Sequence, residues 1–186
     1  MNYKLSLIFL ILFSCNQAFS LLNINSNDSN IYSNFNFSGD TINVTKDTVR
    51  ITAVGDIMMG TNYPNKSYLP PNDGKMLLDS VKQFLEKGDL TFGNFEGVIG
   101  VGGNPKSCNN PKFCYTFRMP ESYISNIKNS GIDLLSIANN HANDFGEGGR
   151  QSTAKILDSA GLFYAGSIDK PFTVFELNGV KYGFLS

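Results

Sequence analysis

The chain has 186 residues, with 15 Lys plus Arg against 16 Asp plus Glu, a single His, three Cys and no Trp. At 41% hydrophobic and 12% aromatic residues it carries enough apolar material for one packed core, which rules out wholesale disorder. A net charge of −1 argues against a nucleic-acid binder, and one His rules out any site needing two imidazoles from this chain alone.

The first segment reads as an export signal. Lys4 precedes the apolar run Leu5–Phe13, which is too short to span a bilayer, where about 20 residues are needed. Leu12-Phe13-Ser14-Cys15 resembles a bacterial lipobox with Cys15 as the lipidated residue, although Phe13 is bulkier than that motif prefers. Ala18-Phe19-Ser20 is the alternative, an ordinary small-x-small cleavage site. The lipobox is favoured because Cys15 follows the apolar run directly. Residues 1–20 are therefore expected to be a leader and residues 21–49, rich in Asn and Ser, a tether. The expected location is the cell membrane or cell surface.

From Arg50 the chain alternates in character. Arg50–Val54 is a β-branched run stopped by Gly55-Asp56. Lys75–Lys87 places Leu77, Leu78, Val81, Phe84 and Leu85 at helical spacing, and Gly88 stops it. Leu90–Phe92 is a second strand, ended by Gly93-Asn94. Gly97–Lys112 is a Gly-, Asn- and Pro-rich loop. A helix is expected from Pro120-Glu121 through Ile127, with Gly131 past its end. Ile132–Ala138 is a continuous apolar run, typical of a strand buried on both faces. Gly149–Ala160 is expected as a third helix and Phe163–Ala165 as a fourth strand. Phe172–Leu177 and Val180–Leu185 flank Asn178-Gly179, a two-residue hairpin signal. The order β-α-β-α-β-α-β plus hairpin predicts an α/β fold with a mainly parallel central sheet.

Three of these strands end in polar residues: Asp56; Asn94 with Glu96; and Asn140 with His141 and Asp144. In a parallel sheet such ends share one edge, where ligands bind. One Asp, one Glu and side-chain amides suit a hard or borderline divalent metal, Mn, Fe, Zn or Mg, held by Asp56, Asn94, Glu96 and Asn140. His141 would protonate a leaving oxygen or stabilise developing charge, and Asp144 would hold its second ring nitrogen. Gly146, Gly148 and Gly149 lack a phosphate-loop Lys and read as turn glycines; the remaining Lys and Arg residues read as solvated surface.

Cys108 and Cys114 lie in CNNPKFC. Outside the cytoplasm a disulfide between them is the favoured reading; a zinc knuckle lacks a second Cys pair or a nearby His, and free thiols fit an oxidising compartment poorly. The sequons at Asn27, Asn36, Asn43 and Asn65 read as by-products of an Asn-rich composition.

The motifs GDIMMG at Gly55–Gly60, GNFEG at Gly93–Gly97 and ANNHANDFGEGG at Ala138–Gly149 resemble the signatures of the CapA family, which serves bacterial capsule and poly-γ-glutamate biosynthesis. The resemblance covers Arg50 to Ser186. It implies a metallophosphatase-like layered sandwich, of which residues 50–186 would be the N-terminal half. It implies an exported, membrane-anchored protein that handles an anionic surface polymer or works with its membrane synthase, and no nucleic-acid partner. Metallophosphatases use Asp-x-His, Gly-Asp and Gly-Asn-His motifs. Here Met58 stands where the first His would be and Asn94 where the second Asp would be, while Asn140 and His141 match the third motif. Three functions follow as expectations: a capsule biosynthesis or export protein, a metal-dependent hydrolase of phosphoester or polymer amide bonds, and a non-catalytic surface scaffold. The chain is expected to continue beyond Ser186 in the full protein.

Overall fold

The computed structural model describes residues 48–107 and 114–186. The expected leader, Cys15, nearly all of the tether, the sequons at Asn27, Asn36 and Asn43, and Cys108 lie outside the described residues.

The elements run β1 (Ile51–Ile57), α1 (Asp79–Leu85), β2 (Leu90–Phe95), β3 (Val98–Ile99), β4 (Arg118–Met119), α2 (Tyr123–Asn129), β5 (Leu134–Ser136), α3 (Gly146–Ala160), β6 (Phe163–Ala165), β7 (Phe172–Leu177) and β8 (Val180–Leu185). A four-stranded sheet has the order β1-β2-β5-β6, and every pair in it is parallel. The fold is α/β with a parallel central sheet, as the alternation predicts.

Because strand order follows chain order, right-handed crossovers put all three helices on one face of the sheet. The packing agrees. Leu85 of α1, Tyr123 and Ile127 of α2, and Ile156 and Leu157 of α3 are buried against Phe95, Leu135 and Tyr164. The period of two along each strand sends the alternate residues to the other face. There Leu90, Phe92, Leu134 and Ala165 pack on Phe175 and Phe184 of the β7–β8 hairpin. The sheet is thus the middle of three layers. The hairpin turns through Asn178 and Gly179 at φ +52° and +76°, the two positive values that a tight turn between twisted strands requires.

Three local features differ from the periodicity. The first helix begins at Asp79, and Leu77, Val81 and Phe84 of its apolar stripe are exposed; only Leu85 is deeply buried. The residues before it form single turns, with Leu77 N–H bonded to the Gly74 carbonyl at 3.0 Å. The third helix starts at Gly146, three residues early, because glycine carries no apolar signal that would mark its first turn. Its end at Gly161 has the left-handed cap expected there, φ +67°. Finally, β3 and β4 form a separate parallel pair, too short to show a period in the sequence.

Candidate active site at the strand edge

Strand β1 pairs Ala53 with Phe92 and then Asp56 with Asn94, so it advances three residues while β2 advances two. Such a bulge re-aims the side chains beyond it. It sets Asp56 opposite Asn94, and Asn94 Nδ2 donates to Asp56 Oδ1 at 2.7 Å. The same nitrogen donates to Glu96 Oε2 at 2.7 Å. Glu96 is buried just past β2, where its backbone N–H bonds the Ile57 carbonyl at 3.2 Å.

The third strand end supplies the other half of the network. Asn139 Nδ2 donates to Asn94 Oδ1 at 3.1 Å and to the Phe95 carbonyl at 2.8 Å. Its Oδ1 accepts the His141 N–H at 3.1 Å, an Asx turn that points the imidazole back toward β2. His141 Nδ1 lies 2.8 Å from Asp144 Oδ2, and its Nε2 lies 3.8 Å from Glu96 Oε1. The Phe117 ring covers one face of the imidazole, with centroids 4.3 Å apart.

Asp144 is fully buried, at 0% exposure. A charge removed from water needs several partners, and it has them. Oδ2 also accepts the Phe117 N–H at 2.7 Å, and Oδ1 is ion-paired with Lys106 Nζ. Lys106 holds the same residue through its backbone, donating N–H to the Asp144 carbonyl at 2.8 Å. With acceptor-only oxygen on that side, His141 carries its proton on Nδ1 and presents the Nε2 lone pair to Glu96. Nε2 faces Glu96 Oε1 at 3.8 Å, beyond hydrogen-bond distance.

The structure brings together Asp56, Asn94, Glu96, His141 and Asp144. Asn140 is exposed, and its neighbour Asn139 makes the contacts to β2. Met58 turns back on its own loop, its sulfur accepting the Gly60 N–H at 3.1 Å. Gly148 packs against the backbone of Gly102 and Gly103, where a Cβ would come within 2.6 Å of the Gly103 nitrogen. Cys114 is disulfide-bonded, while Cys108 lies outside the described residues.

A divalent metal needs several oxygen or nitrogen donors converging on one point. Among the described residues, no group of three or more His, Cys, Asp or Glu is placed to hold a metal ion. Asp56 and Glu96 do converge, but on the amide nitrogen of Asn94. These residues as arranged do not fit a metal.

A cleft of about 800 Å³ lies along α3, reached from Gly97 and Ala142 at its site end. Its cations are already engaged: Arg150 with Glu147 and Asn143, Lys170 with Asp158 at 3.1 Å.

Residues 50–186 match the family described as Bacterial capsule synthesis protein PGA_cap. The chain belongs to this family. Relatives of the PGA_cap chain include the Capsule biosynthesis protein CapA of Bacillus anthracis, 28% identical over 140 residues, which are 73% of this chain and 33% of that protein. Two proteins of Sinorhizobium fredii named as uncharacterized, y4sH and y4uA, are each 28% identical over 136 residues, 71% of this chain and 27% of theirs. The PGA_cap chain thus spans a third or less of the length of these relatives.

Three members of the network lie outside the residues expected at the site: Asn139, Lys106 and Phe117. Only Asn139 had a usable signal. An Asn two residues before the His is the spacing of an Asx turn, which orients both. Lys106 reads as one of many surface cations, because it reaches Asp144 from a loop with no periodicity.

Proposed function

We propose that this PGA_cap chain acts in making or exporting an anionic capsule polymer of the poly-γ-glutamate type, from an exported and lipid-anchored position. Its working site is the strand edge, with His141 as the group that gives and takes a proton and Asp144 as the residue that orients it. The partner is the polymer or the membrane enzyme that makes it. Family membership and the export-like leader support the biological setting. The observation that carries the chemical part is the fully buried Asp144, ion-paired to Lys106 and bonded to His141 Nδ1, which leaves Nε2 turned to Glu96. Burial of this kind holds one ring nitrogen in one direction, as acid–base chemistry requires.

The test is complementation of a deletion strain, reading surface polymer. Deletion removes the polymer, the wild-type gene restores it, and His141→Gln restores little. Full capsule in the deletion strain would sink the proposal.

A second reading is a non-catalytic scaffold for the polymer machinery. Asn94 favours it, since Asp56 and Glu96 each already spend an oxygen on this amide. Full complementation by His141→Gln, with the deletion still defective, would select the scaffold.

A further inference from the structure

The strand edge holds two carboxylates that converge on one point. In a metal-dependent site that point belongs to a cation. Here it is the side-chain nitrogen of Asn94, 2.7 Å from Asp56 Oδ1 and 2.7 Å from Glu96 Oε2. We infer that Asn94 takes the place of a cation between Asp56 and Glu96, and that its amide, locked in this direction, closes the strand-edge site to a divalent metal.

The lock follows from which groups can only donate or only accept. Asn139 sits between two backbone groups, donating Nδ2 to the Phe95 carbonyl and accepting the His141 N–H on Oδ1. A carbonyl cannot donate and an N–H cannot accept, so Asn139 has one orientation. Its remaining N–H points at Asn94 and requires an oxygen there. Asn94 therefore presents Oδ1 to Asn139 and its amino group to the carboxylates. Both hydrogens of each amide are used. Turning Asn94 to offer an oxygen to a metal would set its amino group against that of Asn139, two donors with no acceptor between them.

Distance adds to direction. Mg²⁺ holds carboxylate oxygens at about 2.0–2.1 Å. The nitrogen keeps Asp56 and Glu96 roughly 0.6 Å farther from the shared centre than that. Asn139 and Asn94 are thus positioning residues, and the two backbone groups are the origin of the order.

The inference concerns the same site as the proposed function but not the polymer. It is read by metal response, so its failure leaves the capsule reading standing, and failure of the capsule reading leaves it untouched. The experiment titrates the full 186-residue chain with Mn²⁺ and follows binding and thermal unfolding. Wild type is expected to show no saturable site and no shift in melting temperature. Asn94→Asp, which replaces the amino group with a third carboxylate oxygen, is expected to bind Mn²⁺ roughly tenfold tighter or more. Adding Asp56→Asn to that variant is expected to remove the gain. If Asn94→Asp does not fold, Asn94→Ser decides: with a hydroxyl oxygen in place of the donor-only amide nitrogen, Mn²⁺ should raise its melting temperature. Saturable wild-type binding that Asp56→Asn removes would overturn the inference. So would Asn94→Asp binding no tighter than wild type, or Asn94→Ser showing no Mn²⁺ response.

Discussion

Asp144 Oδ2 lies 2.8 Å from His141 Nδ1, and the same carboxylate is ion-paired through Oδ1 with Lys106. One fully buried group thus ties the third strand end to the long loop after β2. Replacing Asp144 by Ala frees the imidazole. The Phe117 N–H and the imidazole lose their acceptor while the exposed Lys106 ammonium regains water, so the expected cost is about 1–3 kcal/mol. Chemical denaturation of Asp144→Ala checks it, and Asp144→Asn should lose less because it keeps the shape and an acceptor. A loss of stability no larger than a surface substitution would show that the ion pair is not structural.

Asn139 offers a sharper substitution. In Asn139→Asp, the oxygen that replaces Nδ2 faces the Phe95 carbonyl and Asn94 Oδ1, both acceptors. The expected penalty is about 1–3 kcal/mol, the range for leaving a buried polar group unsatisfied. Equilibrium unfolding measures it. Adding Asn94→Asp cannot rescue it, since no donor is restored; a rescue would mean the amide order runs the other way.

Tyr164 predicts an alkaline limit. Burial first, and then the hydrogen bond and charge of Asp158, push its phenol up from 10.0 to about 12. The folded state favours the neutral phenol. Its contribution is therefore complete below about pH 10, the unfolded value, and is lost as pH rises through about 12. Tyrosinate absorbance should show a late-ionising group near pH 12 that Tyr164→Phe removes. The same variant should flatten the fall in stability across that window.

Gly166 follows β6 at φ +120°, and a Cβ there would lie 2.5 Å from the Ala138 nitrogen. Gly166→Ala forces apart β6 and the segment that leads into Asn139. A loss of roughly 1–3 kcal/mol is expected from backbone strain and overpacking together. Its thermal midpoint should fall, whereas Gly179→Ala, with no atom within 4 Å of the added Cβ, pays only for its positive φ. Equal losses would mean the close approach at Ala138 is relieved by movement.

The alternation of strands and helices was readable from the residues themselves. Alternating strand and helix patterns predict the parallel sheet, and Asn178-Gly179 predicts the hairpin. The polar strand ends also marked the edge where Asp56, Asn94, Glu96 and His141 meet. What stayed hidden depends on register and reach. The bulge between Ala53 and Asp56 is a property of two paired strands, not of either alone. The choice of Asn139 over Asn140 for contact with β2 turns on which backbone groups lie beside it. Lys106 comes from a loop whose path no periodicity describes, and exposed Val81 and Phe84 show that helical spacing alone does not supply a neighbour.

Sequential strand order also bears on how the site is completed. β1 pairs with β2, β2 with β5 and β5 with β6, so within this sheet each strand pairs with the sheet strand that follows it in the chain. Each ladder closes a span of roughly 30–40 residues, a modest entropic cost. Asp56, Asn94 and Glu96 meet across the β1–β2 ladder, and Asn139 and His141 reach them only where β5 joins β2. The order of the amides, which Asn139 sets, is therefore complete only once the third strand of the sheet is in place.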